Sequence, residues 1–400
     1  MSSIERTTTG VPDLLTGLDI YDRRTGDHIN DVVHQAHSGC PVAYSDAHGG
    51  YYLVAGHAHV VEALCDDHRF SSRGGKSIPE RQTVEMPPLD SDPPEHREYR
   101  RLLNRFFSKG GLAPYEPAIR QVARDLLDDI VEAGQVEMVH GYAGPLSGAV
   151  LCRVILDLDD TDLMAQAQQR VAKIANANTA EAWRELTAFL QKLLSEYEPG
   201  DRDDVLRAIV TGTINGRPLS DEEKMGIVVV LFLGGLDTTR AAIASIAYHI
   251  ATQPHLQDRL RDTDWTRKDL DEFLRHDSVV TAMARTTLVE TQLGGQGLQP
   301  GDRLLVHYYA ANHDPAAFPN PDELDFERGR NPHVAFGLGI HRCLGSNLAR
   351  LQIRIAFEEL LSRVENIRIA DGARISFTPG VVRHPETVPL VFQRRAGAPA

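Results

Sequence analysis

The sequence predicts a mainly α-helical protein with a small β portion, folded as a single domain. Helical hydrophobic periodicity covers most of the 400 residues, whereas strand-like segments are few and short. Hydrophobic residues make up 42% of the chain, as in globular proteins, and no Gly-, Ser- or Pro-rich linker divides it. We therefore expect one domain over residues 13–393, between a disordered N-terminal tail, 1–12, and a C-terminal tail, 394–400.

Charge, cysteine usage and hydropathy exclude several classes of protein. A net charge of -14 disfavours binding to nucleic acid or to an anionic membrane surface. The four cysteines lie far apart and form no C-x-x-C pair, which argues against zinc, iron–sulfur clusters and a disulfide scaffold. The most apolar run, 226–236, is shorter than the roughly twenty residues that a membrane span needs. These observations predict a cytoplasmic monomer with no membrane span and no nucleic-acid partner.

Strand signals occur near both ends of the chain. Residues 41–44 and 51–54 flank a Gly-Gly pair, which predicts a β-hairpin. Residues 301–306 predict a further strand pair, and residues 388–392 predict a late strand.

One long helix is predicted in the middle of the chain. Ser220 and Glu223 form a capping box at its start, and Pro254 stops the helical pattern after Gln253. A helix of this length spans about 45 Å. Because its middle is apolar on all sides, we expect it to lie in the core.

Two local rules fail at the centre of this helix. Each of Gly234 and Gly235 costs about 1 kcal/mol relative to alanine, and Asp237 lies among apolar residues, which is unfavourable unless it is paired. One interpretation is a kink with Asp237 in a structural salt bridge. The other is a ligand-facing surface of Leu231, Gly234, Gly235 and Thr238, where Thr238 bonds the Gly234 carbonyl and an alcohol beside an acid relays protons.

A single cysteine, Cys343, follows a glycine-rich bend within residues 336–345, which read FGLGIHRCLG. Glycines let the backbone pass close to a flat ligand, and the start of a helix favours the thiolate, the form that ligates metal. The segment therefore indicates one sulfur ligand for a metal beside a glycine-lined surface. The alternative is a small buried hydrophobic residue.

Together these motifs resemble the cytochrome P-450 family. Residues 336–345 match its haem-thiolate signature, residues 234–238 resemble its G-G-x-D-T oxygen-activation motif, and residues 272–275 resemble its E-x-x-R element. The resemblance implies the cytochrome P-450 fold, with a long central helix over haem b (iron protoporphyrin IX) and an axial thiolate from Cys343. The chain most resembles the soluble bacterial monooxygenases of the family, and the sequence of residues 234–238 is similar to that of the terpene-oxidising members.

The resemblance also implies roles for particular residues. Asp237 passes protons inward and Thr238 assists oxygen activation, whereas Glu272 and Arg275 brace the fold. The cofactor contacts that it implies are His96, Arg100, Arg285, Phe336, Gly337, His341 and Gly345. The substrate-pocket residues that it implies are Val230, Leu233, Gly234, Thr281, Ala282, Val381 and Val382, together with the 76–88 loop.

The implied activity is insertion of one oxygen atom from O2 into a small hydrophobic substrate, a terpenoid or a small aromatic. Electrons would come from NAD(P)H through a ferredoxin and its reductase. Arg97, Arg101 and Arg105 form a basic stripe that is either a ferredoxin-docking patch or a solvated helix face. The alternatives are a peroxide-dependent or coupling haem-thiolate enzyme, a haem sensor, and a protein without haem. The alternative to a purely hydrophobic substrate is one that carries a carboxylate, which Arg73, Lys76 or Arg81 would bind.

Overall fold

The computed structural model describes residues 15–158, 160–199, 203–261 and 265–397. The expected tail 1–12 and the last residues of the tail 394–400 lie outside the described residues. Helices dominate, which confirms the predicted fold class. The α-helices are α1 (Arg23–Asp27), α2 (Ile29–Ser38), α3 (His57–Cys65), α4 (Glu95–Phe107), α5 (Lys109–Leu112), α6 (Glu116–Ala133), α7 (Gly144–Ala149), α8 (Thr161–Ala177), α9 (Ala180–Glu196), α10 (Val205–Val210), α11 (Asp221–Thr252), α12 (His255–Leu260), α13 (Arg267–Asp277), α14 (Tyr308–Asn312) and α15 (Ser346–Arg363).

The strands form one five-stranded sheet, one three-stranded sheet and two small hairpins. They are β1 (Val42–Ser45), β2 (Tyr51–Val54), β3 (Phe70–Ser71), β4 (Gln135–Glu137), β5 (Thr213–Ile214), β6 (Arg217–Pro218), β7 (Ala282–Thr287), β8 (Thr291–Leu293), β9 (Gln296–Leu298), β10 (Arg303–His307), β11 (Val364–Ile369) and β12 (Pro389–Arg394).

The large sheet has the strand order β1-β2-β10-β7-β3. Its β1–β2 hairpin is the one that the sequence predicts. Residues 301–306, predicted to hold a strand pair, contain the single strand β10, which pairs parallel with β2 and antiparallel with β7. The late strand is β12, which lies between β11 and β4 and extends to Arg394.

The long central helix is α11, with bounds close to those predicted. The Ser220 hydroxyl accepts from the Glu223 amide at 3.2 Å, and the Glu223 carboxylate accepts from the Ser220 amide at 2.6 Å. The backbone is assigned as α-helix from Asp221 to Thr252, including Gly234 and Gly235. By length and composition α11 could cross a membrane, but 67% of its most apolar stretch is buried inside the protein. The apolar side chains of α11 therefore form part of the core, where the helix packs against α7, α8, α9 and α15.

Helix α13 carries a buried ion pair. Arg275 donates to both carboxylate oxygens of Glu272 at 2.9 and 3.0 Å, and both side chains are almost fully buried. The remaining guanidinium donors bond the backbone carbonyls of Asn312, Pro321 and Glu323. The pair therefore holds α13 against the chain that leads to the cysteine segment, a geometry that supports a structural role.

Candidate functional site

The cysteine segment is a tight loop in front of α15. The Cys343 amide donates to the Phe336 carbonyl at 2.8 Å, which closes the loop on itself. Gly337 and Gly339 have φ angles of 64° and 65°, in the left-handed region. A Cβ at Gly339 would also collide with the Leu64 carbonyl oxygen of α3. Glycine is therefore required at 339 by both dihedral angle and space.

The Cys343 thiol has accessible surface although protein surrounds it. The residue is exposed, yet burial raises the pKa of its thiol, so its surface faces an interior space. The Gly345 amide bonds the sulfur, and the guanidinium of Arg100 is close, but both lower the pKa by less than burial raises it. Because α15 begins at Ser346, Cys343 lies just before the helix, and the amide of the N-cap residue Gly345 is the group at the helix start that bonds the sulfur.

Four basic side chains meet beside this interior space. The His96 and His341 rings lie 4.4 Å apart between centroids, and burial lowers their pKa to about 4 and about 3, helped by Arg100 and by Arg285, respectively. Both ring nitrogens of His96 and Nε2 of His341 are buried and have no hydrogen-bond partner within the described ranges of the chain. Arg100 donates to the Arg342 carbonyl at 3.0 Å and Arg285 to the Ala284 carbonyl at 2.8 Å.

The residues present fit a haem. Within the part of the chain that the structure describes, no carboxylate forms an ion pair with Arg100 or Arg285. Buried cationic groups without counter-charge are costly, so this cluster calls for an anionic partner. Two propionate carboxylates would supply the charge and accept from the unpartnered imidazoles. Cys343 would supply the axial sulfur from the neighbouring loop.

The accessible face of α11 differs from the predicted one. Gly234 is exposed, no atom lies within 4 Å of a Cβ built on it, and Val230, Leu233 and Thr238 are partly exposed. By contrast, Leu231 is 8% exposed. Gly235 lies against Leu151, whose side chain comes within 3.1 Å of a Cβ built there. Leu231, predicted on the ligand-facing side, is therefore nearly buried, whereas Gly235 is partly exposed and its place beside a ligand stays a prediction.

The two polar side chains of this helix make different contacts. The Thr238 hydroxyl donates to the Gly234 carbonyl at 2.6 Å, as its spacing predicted. Asp237 is buried and paired with Arg240, one turn along the same helix. The salt bridge of the first interpretation is therefore present, and it lies next to the open face of the second interpretation.

The other expected pocket residues divide into two groups. Thr281 is 2% exposed, and its hydroxyl donates to the Gly380 carbonyl at 2.9 Å. Ala282 is fully buried in a second core cluster, on the opposite face of β7 from Arg285. Val381 and Val382 remain partly exposed. Ala282 therefore contributes to core packing, and its contact with a substrate stays a prediction.

A separate open cleft of about 1300 Å3 borders the 76–88 loop. Its wall includes neither Cys343 nor Thr238, and most of its charged groups are acidic. Its lining carboxylates are Glu80, Glu85, Asp90, Glu95, Asp221, Glu222 and Glu223. Lys76 on this loop packs against the protein, because its ammonium lies 4.5 Å from the centre of the Trp183 ring and burial lowers its pKa. Arg73 and Arg81 are exposed.

Some neighbours of the site were missed from the sequence. Arg342 is exposed beside Cys343, and Arg350 lies 4.5 Å over the Phe336 ring. Tyr308 hydrogen-bonds Arg285. A cation next to a signature motif is visible in the sequence at Arg342, but the positions of Tyr308 and Arg350 depend on the tertiary fold.

Known proteins define the class of this chain. The cytochrome P450 family model matches residues 159–263 and 265–392. The chain is 29% identical over 344 residues to the steroid C26-monooxygenase of Mycolicibacterium smegmatis, covering 83% of this chain and 85% of that protein. It is 28% identical over 347 residues to the linalool 8-monooxygenase of Pseudomonas putida, covering 81% and 86%. The crystal structure of CYP108D1 from Novosphingobium aromaticivorans is 26% identical and matches with a TM-score of 0.83 over 94% of this chain and 97% of that one.

The chain therefore belongs to the cytochrome P450 family and is a monooxygenase of the bacterial type. Its cofactor is haem b with an axial cysteine thiolate, which agrees with the fit of the residues around Cys343.

Proposed function

We propose that this monooxygenase oxidises a small hydrophobic substrate, a terpenoid or a small aromatic. The observation that carries the proposal is the open face in the middle of α11, where Gly234 is exposed and Val230 and Leu233 are partly exposed. When bound, haem supplies the oxygen activation and the oxidising chemistry. The chain provides an apolar wall beside it, on which a charged substrate would lose hydration without gaining a partner.

Two further observations support a neutral substrate. The carboxylates around the cleft at the 76–88 loop repel a substrate carboxylate and favour neutral or cationic molecules. The relatives named for a steroid and for linalool act on hydrophobic molecules with few polar groups. A spin-state titration of the haem-loaded protein tests the substrate class. Terpenoids and small aromatics should shift the Soret band at lower concentration than matched carboxylic acids, and the reverse order would contradict the proposal.

We assign proton handling to Thr238 and Asp237. Because the Thr238 hydroxyl donates to Gly234, its oxygen lone pairs are free to accept a hydrogen bond from the open side of α11. Asp237 must leave Arg240 before it can carry a proton, so Arg240 holds the acid when no proton is being moved. The relay therefore needs a side-chain rotation of Asp237.

The relay is tested with Thr238→Ala and with Thr252→Ala as a matched control. Thr252 makes the same backward hydrogen bond in the same helix, at 2.8 Å to Tyr248, but lies at the helix end. Thr238→Ala should retain haem and substrate binding while releasing more peroxide per NADH consumed, and Thr252→Ala should match the wild type. An unchanged product yield in Thr238→Ala would remove the assigned role and favour the peroxide-dependent alternative.

Cys343 is assigned as the axial ligand. The carbon-monoxide difference spectrum of the reduced protein should show the thiolate-type Soret shift, and Cys343→Ala should lose it. Cys152→Ala is the control, because that thiol is fully buried in the core and burial raises its pKa to about 12. Survival of the shift in Cys343→Ala would overturn the assignment.

We propose that a ferredoxin docks on the outer face of α4. Arg97, Arg101 and Arg105 are exposed there. Arg101 pairs with Glu98 and Arg105 with Asp203, so both are partly neutralised. We expect a steep fall of the electron-transfer rate with rising salt and a slower rate in Arg97→Gln.

The matched control for the docking patch is Arg368→Gln, an exposed arginine on β11. It should behave like the wild type, and a flat salt response of the electron-transfer rate would contradict docking at α4. A monomeric state and a cytoplasmic location complete the proposal.

A further inference from the structure

Two histidines and an aspartate form a compact cluster where the end of α11 meets the end of α13. His249 lies in the last turn of α11, and His276 and Asp277 are the last two residues of α13. Nε2 of His249 lies 2.9 Å from Oδ1 of Asp277, and Nδ1 of His276 lies 3.6 Å from the same oxygen. The potential ligand atoms of the three residues all lie within 4.8 Å of one another. The cluster is about 18 Å along α11 from Asp237, and no role assigned above uses it.

The hydrogen bonds of His276 leave a lone pair facing its neighbour. Its Nε2 lies 3.1 Å from the Asp322 carbonyl oxygen, which can only accept, so Nε2 carries the proton. In the neutral ring Nδ1 is then a bare acceptor. Among the residues that the structure describes, neither this buried Nδ1 nor the buried Oδ2 of Asp277 has a hydrogen-bond partner. Two unsatisfied buried acceptors beside one another are unfavourable unless a cation lies between them.

We propose that His249, His276 and Asp277 bind a divalent transition-metal ion of the Zn2+ type. Imidazole and carboxylate are ligands that zinc prefers, at about 2.0–2.2 Å in a tetrahedral arrangement. Tetrahedral ligands at that range lie about 3.3 Å apart, and the two shorter separations in the cluster are 2.9 and 3.6 Å. The three side chains therefore need little movement to bind the ion, and water would complete the coordination.

The surrounding groups supply the supporting hydrogen bonds. A ring nitrogen that binds metal leaves the other ring nitrogen as a donor. The Asp322 carbonyl already accepts from Nε2 of His276. The amide nitrogen of Gln253 lies 3.3 Å from Nδ1 of His249, so metal binding requires the Gln253 amide to turn its oxygen toward that nitrogen.

Two features oppose the ion, and both bear on its affinity. Arg383 adds positive charge near Asp277, although its guanidinium lies over the Phe377 and Tyr309 rings at 4.1 and 5.7 Å. A proton on Nδ1 of His276 would compete with the ion for this position. The 3.6 Å between that nitrogen and Oδ1 of Asp277 is, however, too long for the proton to form a good hydrogen bond. Because the ligands come from two helices, the ion would stabilise the contact between α11 and α13.

The experiment uses the full haem-loaded chain, treated with a chelator and dialysed against micromolar zinc. We expect about one bound zinc per chain by mass spectrometry. The zinc-edge absorption spectrum should show two imidazoles and oxygen ligands without sulfur, and zinc should raise the melting temperature. His276→Gln and Asp277→Asn should each weaken zinc binding by at least about tenfold. His28→Gln is the control, because His28 and Asp31 form an exposed pair at 3.3 Å.

Any one of three results would overturn the proposal. The first is a wild type that binds no more zinc than Asp277→Asn, and the second is wild-type zinc affinity in both variants. The third is an absorption spectrum with a sulfur ligand or with fewer than two imidazoles. Haem content and the melting temperature without zinc identify any variant that fails to fold. If a variant fails to fold, the zinc-edge absorption spectrum of the wild type alone tests the proposal. None of these measurements depends on oxygenase activity, so they fail or succeed separately from the proposed function.

Discussion

The buried ion pair of α13 provides the sharpest stability prediction. In Arg275→Met the replacement side chain is apolar and of similar length, but all the guanidinium donors are lost. The carbonyls of Asn312, Pro321 and Glu323 then lack a donor from this side chain, and Glu272 loses two of its hydrogen bonds. All these groups lie at the junction between α13 and the chain leading to Cys343.

The remaining contacts of Glu272 limit the loss. Its carboxylate still accepts from Arg328 at 3.3 Å, from Asn331 at 3.1 Å and from the Asp325 amide at 2.8 Å. Removing one partner of a buried pair costs about 3–5 kcal/mol. We expect a loss in this range, a large part of the roughly 5–15 kcal/mol that stabilises a typical protein.

Urea unfolding of the haem-loaded protein, followed by circular dichroism and by Soret absorbance, measures the loss. Arg101→Met is the control, because Arg101 pairs with Glu98 at the same i, i+3 spacing and the same 2.9 Å, but the arginine is exposed. It should change the unfolding midpoint little, since exposed pairs contribute little. If Arg275→Met were no less stable than Arg101→Met, burial would not be what gives the α13 pair its importance.

Three other substitutions test separate parts of the structure. Gly339→Ala should lower haem content per chain and stability by about 1–3 kcal/mol, because of its φ of 65° and its contact with α3; Gly110→Ala, with open space around it, should not. Burial lowers the pKa of His307 from 6.5 to about 4, so the unfolded chain takes up a proton before the native one, and stability is full above pH 6.5 and falls toward pH 4. His307→Gln should remove up to about 3 kcal/mol of that fall, seen as a smaller difference between urea midpoints at pH 7 and pH 4.5, and identical pH profiles would contradict it. Arg240→Met should destabilise the protein in urea by about 3–5 kcal/mol because it leaves Asp237 buried without its cation, whereas Arg240→Lys should lose less; equal losses would show that charge is not the reason.

Several elements were predictable because their signals are local. The capping box at Ser220 and the stop at Pro254 predict both ends of α11 to within a few residues of the observed ones. The glycines before Cys343 indicate a tight loop, and the structure shows why Gly339 is needed there. The Thr238 bond to Gly234 follows from helical spacing alone.

Other features depend on segments that are distant in sequence. Helix α11 is apolar on all sides, so its periodicity could not show that Val230 is partly exposed while Leu231 packs in the core. The strand β7 carries Arg285 to the site because it pairs with β10, and only that pairing places Ala282 on the other face.

The sequence by itself determined the class of this protein, because the cysteine loop and the centre of α11 are short segments whose residues are constrained by one cofactor. Only the tertiary structure decided that the Cys343 thiol is accessible yet enclosed by protein, with burial raising its pKa. It also brought His96 beside His341, without a carboxylate partner. The physical reason is that burial and charge pairing are properties of the packed chain, and no local pattern records them.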